Sequence, residues 1–401
     1  MTIGVGTFHA TNYMRSLISE VLDSGRISYG PLSLEFEQRF SALHGCRYGI
    51  LANSGTSALQ VALQALKEVR HWHDGDRVIV PATTFVASAN VVLHNRMVPT
   101  FVDVDSQTYN INPELIEKAI TPETRAIMAV HLFGQAADMT AIREIAARHN
   151  LAIIEDSCET VLATHRGRSV GSLSDVAAFS FYVAHILVTG VGGMATTNDP
   201  ALAAKMRSLV NHGMELACLN PGENFAPRPA PGRRFRFETT GHSYRITELE
   251  VALGLAQLDD LPHTIQVRQR NARQLVQGLQ NINAHYRDAF QTPVIAEGNT
   301  HSFMMFPIVL KQGDKEDLIR HLLESGVEVR DMLPLINQPA FWYLQRGAYP
   351  VSANLIDNGL YIGCHQDLTT DDISNVADVF GLWTDGAYQS LPRMHKLEVS
   401  A

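Results

Sequence analysis

Lysine is scarce in this chain. Across 401 residues it occurs only at Lys67, Lys118, Lys205, Lys311, Lys315 and Lys396. The cysteines, Cys46, Cys158, Cys218 and Cys364, stand far apart. They form no C-x-x-C pair and no metal-ligand spacing, so no metal site is expected and they read as reduced, mostly buried thiols. Charged residues make up 18% of the chain and the formal net charge is −9, which argues against general nucleic-acid binding. No apolar run approaches membrane-spanning length, and the opening Met1-Thr2-Ile3-Gly4 lacks a basic leader region. A cytoplasmic protein without a membrane partner is the expectation. Internal repeats and low-complexity tracts are also lacking.

What the chain does carry is an alternation of short apolar runs and helix-length segments. Residues 77–81, 99–104, 126–130 and 151–156 read as buried strands, spaced by helical patterns. That pattern predicts α/β units around a mostly parallel sheet, with ligands taken just beyond the strand ends. Residues 221–232 are rich in proline, glycine and asparagine and read as a long surface loop. A helical run follows at 248–258, and strand and helix patterns resume at 304–310, 317–324 and 327–330. The length implies two domains, a large one over residues 1–261 and a smaller C-terminal α+β domain over 262–401.

Several strand ends carry groups that bind anions or move protons. Asn53-Ser54-Gly55-Thr56-Ser57-Ala58-Leu59 enters an apolar helix. A glycine–hydroxyl turn there offers backbone N–H groups to a phosphate at the positive end of the helix dipole, although alone it is an ordinary N-cap. Phe85 follows a strand in Pro81-Ala82-Thr83-Thr84-Phe85-Val86-Ala87, a common place for a core aromatic. Glu155-Asp156-Ser157-Cys158-Glu159 closes an apolar strand, and Ser180 lies five residues before His185.

The order and spacing of these segments resemble the DegT/DnrJ/EryC1/StrS sugar aminotransferases over about residues 25–370. The resemblance is carried by the Asn53–Leu59 turn, by Phe179-Ser180-Phe181-Tyr182-Val183-Ala184-His185 with Thr189-Gly190-Val191-Gly192-Gly193, and by Gly241-His242-Ser243-Tyr244-Arg245-Ile246-Thr247-Glu248. It implies an α/β fold-type I transferase dependent on pyridoxal phosphate (PLP) or pyridoxamine phosphate (PMP). It also implies a homodimer with active sites at the interface. Gly55, Thr56 and Ser180 would then hold the cofactor phosphate, and Phe85 would stack on the pyridine ring. Asp156 would keep the ring nitrogen protonated, making the ring an electron sink. Glu159 joins the cofactor site and matches the E-D-x-C-[DE] pattern of the family's dehydratase branch, where aminotransferases commonly carry Gln or His. Ser243 replaces an Asn that reaches the partner's cofactor phosphate, and Val191 replaces the usual Glu of G-E-G-G. Arg330, in a segment like the family's substrate side, could meet a diphosphate or a carboxylate, or equally make a surface salt bridge.

His185 stands where most of the family has the lysine that forms an imine with PLP. Imidazole cannot form that bond but can accept a proton near neutral pH. No lysine of the chain sits in a matching motif. The resemblance therefore implies a sugar 3-dehydratase acting on a nucleotide-linked 4-keto-6-deoxyhexose, with glutamate as amino donor and His185 as base. An atypical aminotransferase that stops at the amino sugar is the alternative, and a non-catalytic relative of the fold is a third reading. The iron–sulfur branch of the dehydratases is excluded by its missing cysteine cluster.

Overall fold

In the computed structural model the described residues are 3–28, 30–215, 236–286, 288–332 and 335–389. Cys218 and the loop expected at 221–232 lie outside them. Nine strands come first: β1 (Tyr48–Ala52), β2 (Arg77–Pro81), β3 (Val98–Val102), β4 (Thr124–Val130), β5 (Ala152–Asp156), the hairpin β6 (Thr164–His165) and β7 (Arg168–Ser169), β8 (Val176–Ser180) and β9 (Gly193–Thr197). All but the hairpin join one sheet in the order β1-β9-β8-β5-β4-β2-β3. Strands β3, β2, β4, β5 and β8 run parallel, and β9 is reversed between β8 and β1. β5, β8 and β9 are buried along their whole length. Helices cover both faces, which is why these strands read as continuous apolar runs rather than alternating ones.

The helices α1 (Asn12–Ser24), α2 (Pro31–Leu43), α3 (Gly55–Val69) and α4 (Ala87–His94) belong to this half. α3 begins where the Ser54 hydroxyl accepts from Ser57 N–H, a cap worth about 1 kcal/mol. Alanine, leucine and glutamine then carry it through its middle, good helix formers without a β-branched run. It is apolar nearly all round because it lies between β8, β9 and neighbouring helices.

The second half holds an antiparallel sheet, β10 (Phe290–Gln291), β11 (Phe306–Leu310), β12 (Val329–Asp331) and β13 (Gly359–Ile362), in the order β10-β11-β13-β12. The long helices Leu261–Tyr286 and Thr370–Gln389 pack on each other and share a core with it through Leu275, Leu279, Phe306, Ile308, Phe380 and Trp383. The larger core is continuous into Val309, Met332 and Leu355, so apolar packing joins the two halves. Asp103, just past β3, adds a polar clamp by accepting from Val351 N–H, Ser352 N–H and the Ser352 hydroxyl. No helix among the described residues is long and apolar enough to cross a membrane.

Candidate active site

Sheet register places the candidate groups. Gly193 pairs with Ala52 on one side and Ser180 on the other, so the turn after β1 and the end of β8 lie at one level. The approach is close. A Cβ on Gly193 would stand 2.4 Å from Ser54 O and 2.5 Å from Gly55 N, and one on Gly55 would stand 2.5 Å from Ser180 Cβ and 2.9 Å from Cys158 Sγ. Only hydrogen fits at either position, and the first-turn N–H groups of α3 therefore open beside the Ser180 hydroxyl. Thr56 is exposed at this turn. The arrangement is an anion cradle of the kind a phosphate group occupies.

Next in the sheet, β5 delivers two adjacent acids to opposite faces. Glu155 is fully buried and accepts from Gly171 N–H, Leu173 N–H, the Ser174 hydroxyl and His131 Nε2. Because His131 Nδ1 accepts from Ala137 N–H, Nε2 carries the proton in that pair. The hydrogen bonds from His131, Gly171 and Ser174 hold the Glu155 pKa below its ordinary value against the opposing effect of burial. Asp156 turns to the other face, where Oδ2 accepts from the Ser88 hydroxyl at 2.7 Å and Oδ1 from Cys158 N–H at 3.2 Å.

His185 is half-buried, and its Nδ1 lies 2.5 Å from the Cys158 carbonyl. A carbonyl only accepts, so Nδ1 carries the hydrogen and Nε2 keeps its lone pair. Nε2 has no partner among the described residues. Burial pushes the ring's pKa down to about 4, outweighing the Cys158 carbonyl and Asp156, which raise it; Arg268 pushes the same way as burial. At neutral pH the ring is therefore an uncharged base.

Glu159 is half-buried, and Phe133 N–H donates to its Oε2 at 2.8 Å. Phe133 sits at φ 57° just past β4, a left-handed conformation that is costly for an aromatic residue and aims its N–H at the carboxyl. Burial raises the Glu159 pKa to about 7, with the charge of Asp156 adding to it. Tyr361, raised to about 12 chiefly by burial, feels the charge of Glu159 and packs its ring 5.6 Å from that of Phe133.

The fold thus brings Gly55, Asp156, Glu159, Ser180 and His185 into one neighbourhood. Phe85 lies on the segment that carries Ser88 and is 56% exposed. Ser243 is not bonded to that group among the described residues; it is exposed and accepts from Arg245 Nη2 at 2.9 Å. Its neighbour Tyr244 lies closer in, accepting from Asn53 N–H through its carbonyl. Around Val191 the loop is closed by the Thr189 hydroxyl donating to the Val191 carbonyl at 2.6 Å. Arg330 pairs with Glu328. Sequence reasoning missed Ser88, Thr84 and the Cys158 carbonyl. The four-residue spacing of Thr84 and Ser88 across the start of α4 was the available signal for the first two.

A mostly parallel sheet with an anion cradle, an acid and an imidazole at its strand ends defines a nucleotide- or cofactor-binding α/β enzyme fold. The model of the DegT/DnrJ/EryC1/StrS aminotransferase family matches residues 10–380, and the chain belongs to that family. The family comprises PLP-dependent enzymes that modify sugars, aminotransferases and dehydratases among them. The chain is 38% identical to GDP-perosamine synthase of Caulobacter vibrioides, over 90% of this chain and 93% of that one. It is 35% identical to dTDP-4-dehydro-2,6-dideoxy-D-glucose 3-dehydratase of Saccharopolyspora spinosa, over 88% and 80% of the two chains. Among solved structures, an aminotransferase from Psychrobacter cryohalolentis superposes with a TM-score of 0.86 at 31% identity, covering 95% of this chain and 98% of that one.

Proposed function

We propose that this chain is a PMP-dependent 3-dehydratase of a nucleotide-linked 4-keto-6-deoxyhexose, with His185 as its base. The observation that carries this reading is the His185 tautomer: Nδ1–H is tied to the Cys158 carbonyl and Nε2 is left with a free lone pair. No described lysine is placed to supply an imine instead. Lys67 pairs with Asp74, Lys205 with Glu68 and Lys315 with Asp331, while Lys118 closes the helix Pro113–Ala119 and Lys311 is exposed beyond β11.

The residues present fit the cofactor. The Gly55–Thr56 turn with Ser180 would hold the phosphate, Asp156 the ring nitrogen, Phe85 a ring face and Glu159 the cofactor's edge. When bound, the cofactor supplies an amine for the sugar's carbonyl and a ring that takes up electrons. His185 Nε2 receives the proton whose removal drives loss of the C3 hydroxyl, and Asp156 holds the balancing positive charge on the ring nitrogen. Over a full cycle glutamate is oxidised to 2-oxoglutarate and C3 is reduced; the C3 oxygen departs as water, hydrolysis takes up as much water as is released, and the nitrogen leaves as ammonia. A homodimer fits the exposed apolar side chains beside the site, Phe85, Tyr182, Val183 and Val191, which a second subunit would cover.

The 38% identity to a GDP-perosamine synthase favours a second reading, transamination of the same class of substrate. The purified protein, incubated with PLP, glutamate and a panel of nucleotide 4-keto-6-deoxy sugars, separates the two by mass spectrometry. Free ammonia with a deoxygenated sugar carbon supports dehydration. An amine retained on the sugar rejects it.

A further inference from the structure

Asp156 is fixed by more than its own strand. Ser88 lies on the first turn of α4 and is 1% exposed, where a serine hydroxyl commonly turns back onto its own helix. Its hydroxyl instead crosses to Asp156 Oδ2 at 2.7 Å, and Thr84 Oγ1, also 1% exposed, lies 2.7 Å from Ser88 Oγ. Each hydroxyl has one proton to give. A carboxylate can only accept, so the Ser88 proton goes to Asp156 and the Thr84 proton must go to Ser88. Direction is therefore set along the row, Thr84 to Ser88 to Asp156, and each link polarises the next. Cys158 N–H takes the other carboxylate oxygen at 3.2 Å, which pins the carboxylate plane at both ends.

We infer that Ser88, backed by Thr84, is a positioning residue that orients Asp156 towards the ring nitrogen of the cofactor. This rests on the reading that Asp156 faces that nitrogen. Outer hydrogen bonds of this sort hold an inner group in one rotamer and tune its interaction with what it binds. Without the Ser88 donor one oxygen of a buried carboxylate loses its partner, and the side chain can rotate away from the ring. Thr84 should matter less, since it acts one link further out.

The test uses the full-length protein loaded with PLP labelled with nitrogen-15 in the ring, read by the ring-nitrogen NMR signal and by the cofactor dissociation constant. Thermal melting of each variant confirms that it is folded. Asp156→Asn is expected to move the signal furthest towards the unprotonated ring. Ser88→Ala should move it part of the way and weaken cofactor binding about tenfold, the usual effect of losing a hydrogen bond to a charged group. Thr84→Val, nearly isosteric, should give a smaller shift in the same direction, and Thr84→Ser none. If Asp156→Asn moves the signal while Ser88→Ala and Thr84→Val leave it at the wild-type position, the positioning role is wrong and the Asp156 assignment survives. If Asp156→Asn itself has no effect, the Asp156 assignment falls and the positioning role with it.

Discussion

Glu155 and Asp156 are neighbours on one strand, yet their surroundings differ in kind. On the Glu155 face every acceptor direction is filled by His131, two backbone N–H groups and a serine, and the His131 ring spends both of its nitrogens. On the Asp156 face the carboxylate has two donors, and His185 spends one nitrogen and leaves the other open. Both faces are largely buried. A buried network that satisfies all its members locks a structure, whereas one that stops a bond short is prepared to bind something. The Glu155 side is closed on itself, whereas the Asp156 side keeps an open nitrogen at His185.

That contrast can be broken most sharply at His185. Asn in its place keeps a donor for the Cys158 carbonyl but has no basic nitrogen. Ammonia release from a nucleotide 4-keto-6-deoxy sugar should fall by at least ~10²–10⁴-fold while PLP absorbance on the protein persists. Unchanged release would remove His185 from the mechanism.

The next largest effect lies on the opposite face. Glu155→Ala strips His131 and two backbone N–H groups of their acceptor, while Ser174 keeps the Val176 carbonyl, and should cost about 3–5 kcal/mol in urea unfolding. Asp156 is buried too, but Asn in its place is isosteric and keeps an acceptor for Ser88 or Cys158 N–H, so Asp156→Asn should cost less, about 1–2 kcal/mol. Equal losses for the two would erase the distinction between the faces.

Acid tests the imidazoles that burial holds uncharged. Burial lowers His44, His185 and His365 to about 4 and His301 to about 3, all from 6.5. Below pH 6.5 the unfolded chain binds protons that the folded chain refuses, so these groups make stability fall as pH drops from 6.5 towards 4. Burial raises Glu37, and it raises Glu159 to about 7; these two act the other way between about pH 7 and 4.5. Burial lowers His242 as well, so with five histidines against two carboxyls the urea midpoint should decline from pH 6.5 to 4, and a rising midpoint would contradict the burial of these rings. The smallest and sharpest probe is His185→Lys. Borohydride should fix the cofactor covalently to this variant and leave the wild-type protein unlabelled by mass spectrometry.

Much of the fold was legible. The apolar runs at 77–81, 126–130 and 151–156 became β2, β4 and β5 because parallel strands covered on both faces need apolar residues throughout. The run read at 99–104 is observed as Val98–Val102, and the helix read at 248–258 as Glu248–Leu255. Strands β1 and β9 were not singled out. The Gly193-Met194-Ala195-Thr196-Thr197 segment has little periodicity, and it is a strand because β1 and β8 each offer it an edge. In the site, the histidine at position 185 was conspicuous against the lysine its motif calls for. Its proton acceptor was not, since a backbone carbonyl leaves no trace in the identity of Cys158. Ser88 was passed over because nothing in a serine's identity shows that its hydroxyl crosses to a strand end 68 residues on.

By itself the sequence determined the family, the strand order of chemistry along the chain and the absence of a lysine at position 185. Those are properties of residue identity and spacing. Tertiary structure alone decided that Glu155 faces a closed network and Asp156 an open one, and which nitrogen of His185 is free. A strand's alternation sends adjacent side chains to opposite faces, but only the packed neighbours on each face determine what they meet.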